Sequence, residues 1–312
     1  MAPAHSEPDD KRIGFILKGP TGDFVNFHAP WNPRGDGVRS PGGSRYGSGD
    51  AAGAYDWIDF TIGTDTGGGV RQPAASQSVY GLRPSQEILS VDGTVVIHRY
   101  LDAIGVLSSD LDVLRTVSHH LYDSIEKVLA IKKRSVDFRD GWEKFHPNSG
   151  QAFAEYFQEV FYEYVVWGQW QERSTFRGQY LAKFERTTYV NPLSRFCWEL
   201  GSNMTEEHFS KLKSKREEFQ DFIEELRLST NTIVFFPRLR PKSRDKAEFG
   251  CGLRAAFQAP MAGQPEIVFP VGQLPVFSTI SQREENYGVI TSLIGSHGKY
   301  LSGGDVLDKA DG

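Results

Sequence analysis

Apolar residues at helical spacing fill the middle of the chain. The first run follows Ser109 or Asp110, either of which suits an N-cap, and its apolar face consists of Leu111, Leu114, Val117 and Leu121. A second, aromatic stripe lies within residues 151–170 and consists of Phe153, Tyr156, Phe157, Val160, Phe161, Tyr164 and Trp167. Both runs predict helices, and an aromatic stripe is more typical of a core or domain contact than of a ligand pocket.

A third helix is predicted where Asn203 and Glu206 resemble a capping box. The apolar positions that follow are Phe209, Leu212, Phe219, Ile223 and Leu226. Short apolar runs predict strands on both sides of this helical region, at 57–62, 232–236, 266–269 and 288–294. Because strands and helices interleave along the chain, the pattern indicates an α/β fold.

Composition and charge exclude several classes of protein. No apolar run reaches the length of a membrane span, and the net charge of −5 and one short, interrupted basic run (238–246) argue against a nucleic-acid binder. The first residues are too polar for a signal peptide. Cys197 and Cys251 make neither a disulfide framework nor a zinc site. We therefore expect a cytoplasmic protein with neither a nucleic-acid nor a membrane partner.

Glycine is concentrated in one part of the chain, with 15 of the 32 glycines between Gly14 and Gly81. Such a region reaches positive φ angles and lets backbone N–H groups approach a ligand closely, which predicts a binding site. A phosphate-binding lysine motif and a dinucleotide fingerprint are both missing from it. His119 and His120 would point about 100° apart on a helix, so they cannot both face one metal ion. Neither a cofactor nor a metal is expected.

Residues 40–73 resemble the amidase signature family, serine hydrolases that cleave amide C–N bonds. The matching runs are Pro41-Gly-Gly-Ser44-Arg-Tyr-Gly-Ser48 and Gly63-Thr-Asp-Thr-Gly-Gly-Gly69-Val-Arg71-Gln-Pro73-Ala74. The resemblance continues through 80–85, 101–105 and 259–272 and looks closest to fungal members. It implies a mixed sheet flanked by helices that lacks its N-terminal part. The single partial domain (1–312) then comprises a tail and strand (1–30), a signature region (31–105), a helical region (106–230) and C-terminal strands (231–312).

The resemblance also implies roles for individual residues. Ser44 matches a relay serine, which lies on a cis peptide bond and passes the proton of the nucleophilic serine to a lysine base. Thr66, Gly67 and Gly68 match the backbone of the oxyanion hole, which stabilises developing negative charge without side chains. Asp65 and Arg71 match structural positions of the loop. The implied ligand is a small-molecule amide or acyl compound.

Two departures from the family pattern predict that amide turnover is absent or very weak. Gly69 stands where the family has its nucleophilic serine, 25 residues after Ser44 and one residue further than usual. The base lysine would fall upstream of this sequence, and Lys18 looks like part of a later strand. In addition, Gln77-Ser78 replaces a Cys-Gly-type pair. The candidate replacement nucleophiles, none with an identifiable base, are Ser44, Ser48, Thr66 and Cys251.

Two classes of function stay open. The first is an amide hydrolase by descent, tied to fungal specialised metabolism. The second is a non-catalytic pseudoenzyme that binds an acyl or amide ligand, or a partner chain. The missing front end leaves three interpretations: a truncated gene model or gene remnant, a smaller rebuilt non-catalytic binding protein, or a chain that forms a homodimer or pairs with a companion chain covering the gap.

Overall fold

A computed structural model describes residues 32–34, 40–122, 138–147, 150–190, 192–226, 234–238 and 255–295. The helices are α1 (Tyr46–Ala54), α2 (Arg71–Gln77), α3 (Leu111–Tyr122), α4 (Phe138–Phe145), α5 (Phe153–Phe157), α6 (Val160–Gln171), α7 (Ser174–Phe184), α8 (Pro192–Ser202), α9 (Glu206–Leu226) and α10 (Ala255–Ala262). The strands are β1 (Thr61–Asp65), β2 (Tyr80–Arg83), β3 (Ala103–Ser108), β4 (Val234–Arg238), β5 (Glu266–Ser278) and β6 (Arg283–Ile294).

The described strands form one sheet in the order β1-β3-β2-β5-β6-β4. Every pairing among them is antiparallel, whereas the resemblance implied a mixed sheet. Helices and sheet combine as expected for the predicted fold class. In the register of the first pair, Gly63 of β1 lies opposite Gly105 of β3, and Asp65 lies opposite Ala103. The strand pairing therefore fixes where β1 ends and the glycine-rich loop begins.

Both faces of the sheet are covered, as the adjacent buried residues Val106 and Leu107 show. Successive strand residues point to opposite faces. Val106 packs into a cluster with Leu114 and Tyr122 of α3. Leu107 packs into another cluster with residues of the α1 and α2 region, namely Ala52, Val70, Ala74 and Val79. The loop between β1 and α2 is thus held between a strand and a helix that both belong to the core.

A second core lies among the helices and is strongly aromatic. Its centre is Trp142 of α4, which is 1% exposed and contacts Phe157 and Phe222 edge-to-face with ring centroids 5.1 and 5.4 Å apart. The aromatic stripe predicted at 151–170 is part of this core, as expected, but it is split between α5 and α6. The core places the start of α6 beside the glycine-rich loop.

The first residues of two helices show whether the predicted N-caps are correct. The helix predicted after Ser109 or Asp110 is α3, and its cap is Asp110, whose carboxylate accepts from the N–H groups of Asp112 (2.7 Å) and Val113 (3.1 Å). The capping box at Asn203 is wrong. The hydroxyl of Thr205 accepts from the N–H of His208 at 3.1 Å, because α9 begins two residues later than the proposed cap implies.

The predicted strands differ from the structure mainly in length. Of the run 57–62 only Thr61 and Ile62 lie in a strand, because the chain turns at Trp57, whose side chain is 78% exposed, and β1 begins at Thr61. Strands β5 and β6 extend beyond the predicted 266–269 and 288–294 because they form a long hairpin. No helix in the described ranges is both long and apolar enough to cross a membrane.

Candidate functional site

Ser44 lies at the start of α1, in a turn held by neighbouring segments. The peptide bond between Gly43 and Ser44 is cis, and Gly42 has a φ of +83°, which favours glycine. A β carbon on Gly42 would lie 2.6 Å from the carbonyl oxygen of Gln72, so the turn packs directly on α2. The side-chain amide of Gln77 donates to the carbonyl of Pro41 at 3.3 Å. The residue that replaces the family's Cys-type position therefore supports this turn.

Asp65, the last residue of β1, organises the loop that follows it. Its carboxylate accepts from the backbone N–H groups of Gly68 (2.8 Å), Val70 (3.1 Å) and Arg71 (3.1 Å). A carboxylate can accept several such bonds because it carries two oxygens with two lone pairs each. The side chain of Asp65 therefore folds residues 66–70 into a compact turn that leads into α2.

Four charged side chains form a fully buried cluster beneath this turn. Arg71 donates to Asp65 at 2.7 and 2.9 Å and to Glu266 of β5, and Arg83 Nε lies 3.8 Å from Asp65 Oδ1. Burial alone would raise the pKa of Asp65, but the charge and hydrogen bonds of Arg71 outweigh it and hold the pKa well below its usual range. Burial lowers the pKa of Arg83 to about 10. The cluster is charge-balanced and ties the loop to the centre of the sheet.

Thr66 is anchored by Asp102, which lies just before β3. The Thr66 hydroxyl donates to the Asp102 carboxylate at 2.6 Å, and the same carboxylate accepts from the N–H of Ile97 at 2.7 Å. Burial raises the pKa of Asp102, although its hydrogen bonds oppose this. The oxygens of Asp102 already accept hydrogen bonds from Thr66 of the loop and from Ile97. Asp102 therefore positions the loop and is not a free base.

The backbone N–H groups of the loop are not equivalent. That of Gly68 donates to Asp65, so it is already occupied. In the described part of the chain, the N–H groups of Thr66, Gly67 and Gly69 donate no hydrogen bond. The expected oxyanion-hole segment is therefore present as a turn with three available donors, and Gly68 contributes its φ of +122° to the turn.

Gly69 and Ser44 are neighbours in the folded chain. The N–H of Arg45 donates to the carbonyl of Gly69 at 3.3 Å. A β carbon placed on Gly69 would lie 3.4 Å from Ser44 Oγ and 2.5 Å from the carbonyl oxygen of Thr64. The structure thus brings the expected relay and nucleophile positions together, and the second position carries no side chain.

Two stacked aromatic rings border the loop. Phe161 of α6 and Phe257 of α10 lie with ring centroids 3.8 Å apart and planes 12° apart. A β carbon on Gly67 would lie 2.7 Å from Phe161 and 3.6 Å from Phe257. The rings therefore pack against the backbone of Gly67 and give the site an apolar side.

The proposed replacement nucleophiles have different surroundings. The hydroxyl of Ser48 donates to the carbonyl of Ile62 at 3.3 Å, and that of Thr66 is held by Asp102. Ser44 Oγ makes no hydrogen bond to the described residues. Cys251 and Lys18 lie outside the described residues. Within those residues, no group of three or more His, Cys, Asp or Glu side chains could hold a metal ion.

Three residues of the site were not singled out from the sequence. Glu266 of β5 and Asp102, just before β3, are distant from the loop in the chain. Their contacts with Arg71 and Thr66 have no local sequence signal. Arg45 did have a local sequence signal, because an arginine follows Ser44 where the family motif has another serine. Its side chain is only 7% exposed.

Comparison with known proteins agrees with this geometry. The sequence model of the amidase family matches residues 16–148. Amidase 1 of Oryza sativa subsp. japonica is 41% identical over 97 residues, which are 31% of this chain and 22% of the rice protein. The translocon at the outer membrane of chloroplasts 64 of Pisum sativum is 41% identical over 106 residues, 34% of this chain and 18% of the pea protein. The matched segments span about a fifth of these relatives' length.

The fold comparison extends over more of the molecule. A crystal structure of an amidase superposes with a TM-score of 0.63 at 20% identity and covers 89% of this chain and 69% of the amidase chain. The described chain therefore has the amide hydrolase fold. The segment 16–148 is similar to the amidase family, and the loop between β1 and α2 lies within that matched segment.

Proposed function

We propose that this protein is a catalytically silent member of its family that binds an acyl or amide ligand at the glycine loop without cleaving it. The observation that carries the proposal is Gly69, because the position that faces Ser44 has no side chain to act as nucleophile. In a serine hydrolase, loss of the nucleophile lowers turnover by about 10⁶-fold. Oxyanion stabilisation alone leaves only roughly 10³–10⁴-fold over water.

The rest of the site supports ligand binding. The loop is anchored by buried hydrogen bonds that Gly68 donates to Asp65 and Thr66 donates to Asp102, so its conformation does not depend on a catalytic serine. Three backbone donors are available along it, and the Phe161–Phe257 pair supplies an apolar side. An acyl or amide compound combines an oxygen acceptor with an apolar body, which matches this arrangement.

A fluorophosphonate probe tests this proposal, since it reacts with activated serines. We expect the intact mass of the folded protein to stay unchanged after incubation with the probe, because Ser44 has no base among the described residues. A covalent adduct that disappears in Ser44→Ala would overturn the proposal. The alternative function, an amide hydrolase of fungal specialised metabolism, would then be favoured.

A second copy of the chain is the partner that we propose. In the described sheet β1 is an edge strand, and Trp57 and Ile62 near this edge are 78% and 44% exposed. An exposed edge with apolar side chains favours pairing with another strand. Light scattering of the purified protein should give a dimer mass, and Ile62→Lys should give a monomer. A monomeric wild-type protein would contradict this part of the proposal.

A further inference from the structure

Arg45 is a buried cation at the centre of the site. It directly follows Ser44, its own N–H donates to the carbonyl of Gly69, and its side chain is 7% exposed. The expected relay position, Ser44, is therefore next to Arg45 in sequence, and the expected nucleophile position, Gly69, is joined to it by a hydrogen bond. The guanidinium carries a permanent charge at neutral pH.

This guanidinium has no hydrogen-bond or ion-pair partner among the described residues. Its Nη1 atom is buried and makes no hydrogen bond. By contrast, Arg71 and Arg83 are also buried, and both donate hydrogen bonds to carboxylate or carbonyl oxygens. An unpaired buried charge is costly, and buried polar groups in proteins almost always have a partner. Within the described part of the chain, Arg45 is therefore a buried donor without an acceptor.

The side chain of Arg45 lies beside β1, the strand that leads into the glycine loop. It runs across Gly63 of β1, where a β carbon would stand 2.7 Å from its Cγ and 3.3 Å from its Nε. Burial lowers the pKa of Arg45, and the two carboxylates that oppose this effect are Asp102 and Asp65. Those carboxylates accept hydrogen bonds from Thr66 and Gly68 of the loop.

We propose that Arg45 recognises a carboxylate, and that the ligand of this site is therefore a small carboxylic acid with an apolar body. The inference rests on the proposed binding function and narrows its ligand class. A guanidinium forms two parallel, charge-assisted hydrogen bonds with a carboxylate, which neutral amides cannot match. The available backbone N–H groups of the glycine loop also favour an anion. The apolar body would lie toward Phe161 and Phe257.

Matched acid and amide probes test this inference. Binding of phenylacetate and phenylacetamide, and of benzoate and benzamide, is measured by calorimetry. The proteins compared are wild type, Arg45→Met, Arg45→Lys and the control Arg115→Met, which removes a half-exposed arginine of α3. We expect each acid to bind at least about tenfold more tightly than its amide, since a charge-assisted bond is worth this much. Arg45→Met should abolish that preference, Arg45→Lys should retain part of it, and Arg115→Met should leave it unchanged.

The possible results separate this inference from the proposed function. Amides that bind as tightly as acids, or an acid preference that survives in Arg45→Met, would overturn the role of Arg45 and leave the binding function intact. Failure of all four probes to bind would overturn both. Circular dichroism shows whether each variant is folded, and Arg45→Lys keeps the inference testable if Arg45→Met does not fold.

Discussion

Ser44 Oγ lies 3.4 Å from the point where a β carbon on Gly69 would stand, so the hydroxyl faces a position that has no side chain. The same β carbon would lie 2.5 Å from the carbonyl oxygen of Thr64, which is closer than real β carbons approach. Strand β1 thus occupies part of the volume that a serine at position 69 would need. The local backbone therefore fits a glycine at position 69 and leaves too little room for a serine side chain.

Gly69→Ser should therefore fail to restore amide hydrolysis. The new side chain must displace the Thr64 carbonyl, and overpacking of this kind costs about 1–3 kcal/mol of unfolding free energy. Urea denaturation and an amide hydrolysis assay of the same preparation measure the two effects. The matched control is Gly178→Ser on α7, where a β carbon meets nothing within 4 Å. Hydrolysis by Gly69→Ser would show that the site keeps a working relay and base.

Arg71→Met should strongly destabilise the fold. The change leaves the carboxylates of Asp65 and Glu266 buried without their shared partner, and removing one member of a buried pair costs about 3–5 kcal/mol. Urea denaturation gives the loss, and Arg115→Met, with a half-exposed side chain, should change stability by no more than about 0.5 kcal/mol. Equal effects of the two substitutions would mean that the buried cluster does not stabilise the loop.

Much of the fold could be predicted from local patterns, and the failures have physical causes. The helix after Asp110 was readable because its cap and apolar face are encoded in adjacent residues. Helix α10 was not, because Pro260 lies inside it and reads as a break. The run 57–62 looked like a strand although Trp57 is exposed, since apolar character does not reveal whether a residue is covered.

The candidate site also contains residues that could be predicted from the sequence and residues that could not. Ser44, Asp65 and Gly69 lie in short motifs that the sequence shows directly, although their catalytic and oxyanion roles stay predictions. Asp102 and Glu266 are far from the loop in sequence, and only the pairing of β1, β2, β3 and β5 brings them to it. Buried charge pairs of this kind depend on strand order, which local patterns do not encode.

The bond between Thr66 and Asp102 should contribute to stability. Thr66→Val keeps the shape of the side chain but leaves the Asp102 carboxylate without one donor, at a cost of about 1–3 kcal/mol. A double-mutant cycle with Asp102→Asn isolates the pair, and Thr116→Val, on the exposed face of α3, is the control. Additive effects of the two substitutions would mean that the two side chains do not interact.

Stability should fall with acid through His98. This residue is 4% exposed, its Nδ1 accepts from the N–H of Tyr100 at 3.2 Å, and burial followed by the charge of Arg216 lowers its pKa to about 3. The unfolded histidine has a pKa of about 6.5, so the unfolded state binds the extra proton between these values. The unfolding free energy is then fully present above pH 6.5 and falls by up to about 1.4 kcal/mol per pH unit below it.

Urea denaturation of wild type and His98→Gln between pH 7 and pH 5 measures this slope. His98→Gln should lose most of this dependence of the unfolding free energy on pH. The control His119→Gln, at an exposed position of α3, should keep it. Parallel pH profiles for wild type and His98→Gln would mean that His98 is protonated in the folded protein as readily as in the unfolded one.

Amide hydrolysis by the purified, folded chain tests the binding role most directly. A panel of aryl and alkyl amides is incubated with wild type and with Ser44→Ala, and product formation is compared with a buffer blank. We predict no product above the blank and no difference between the two proteins. Turnover by wild type that is abolished in Ser44→Ala would contradict the account and show that this site has a nucleophile and a base.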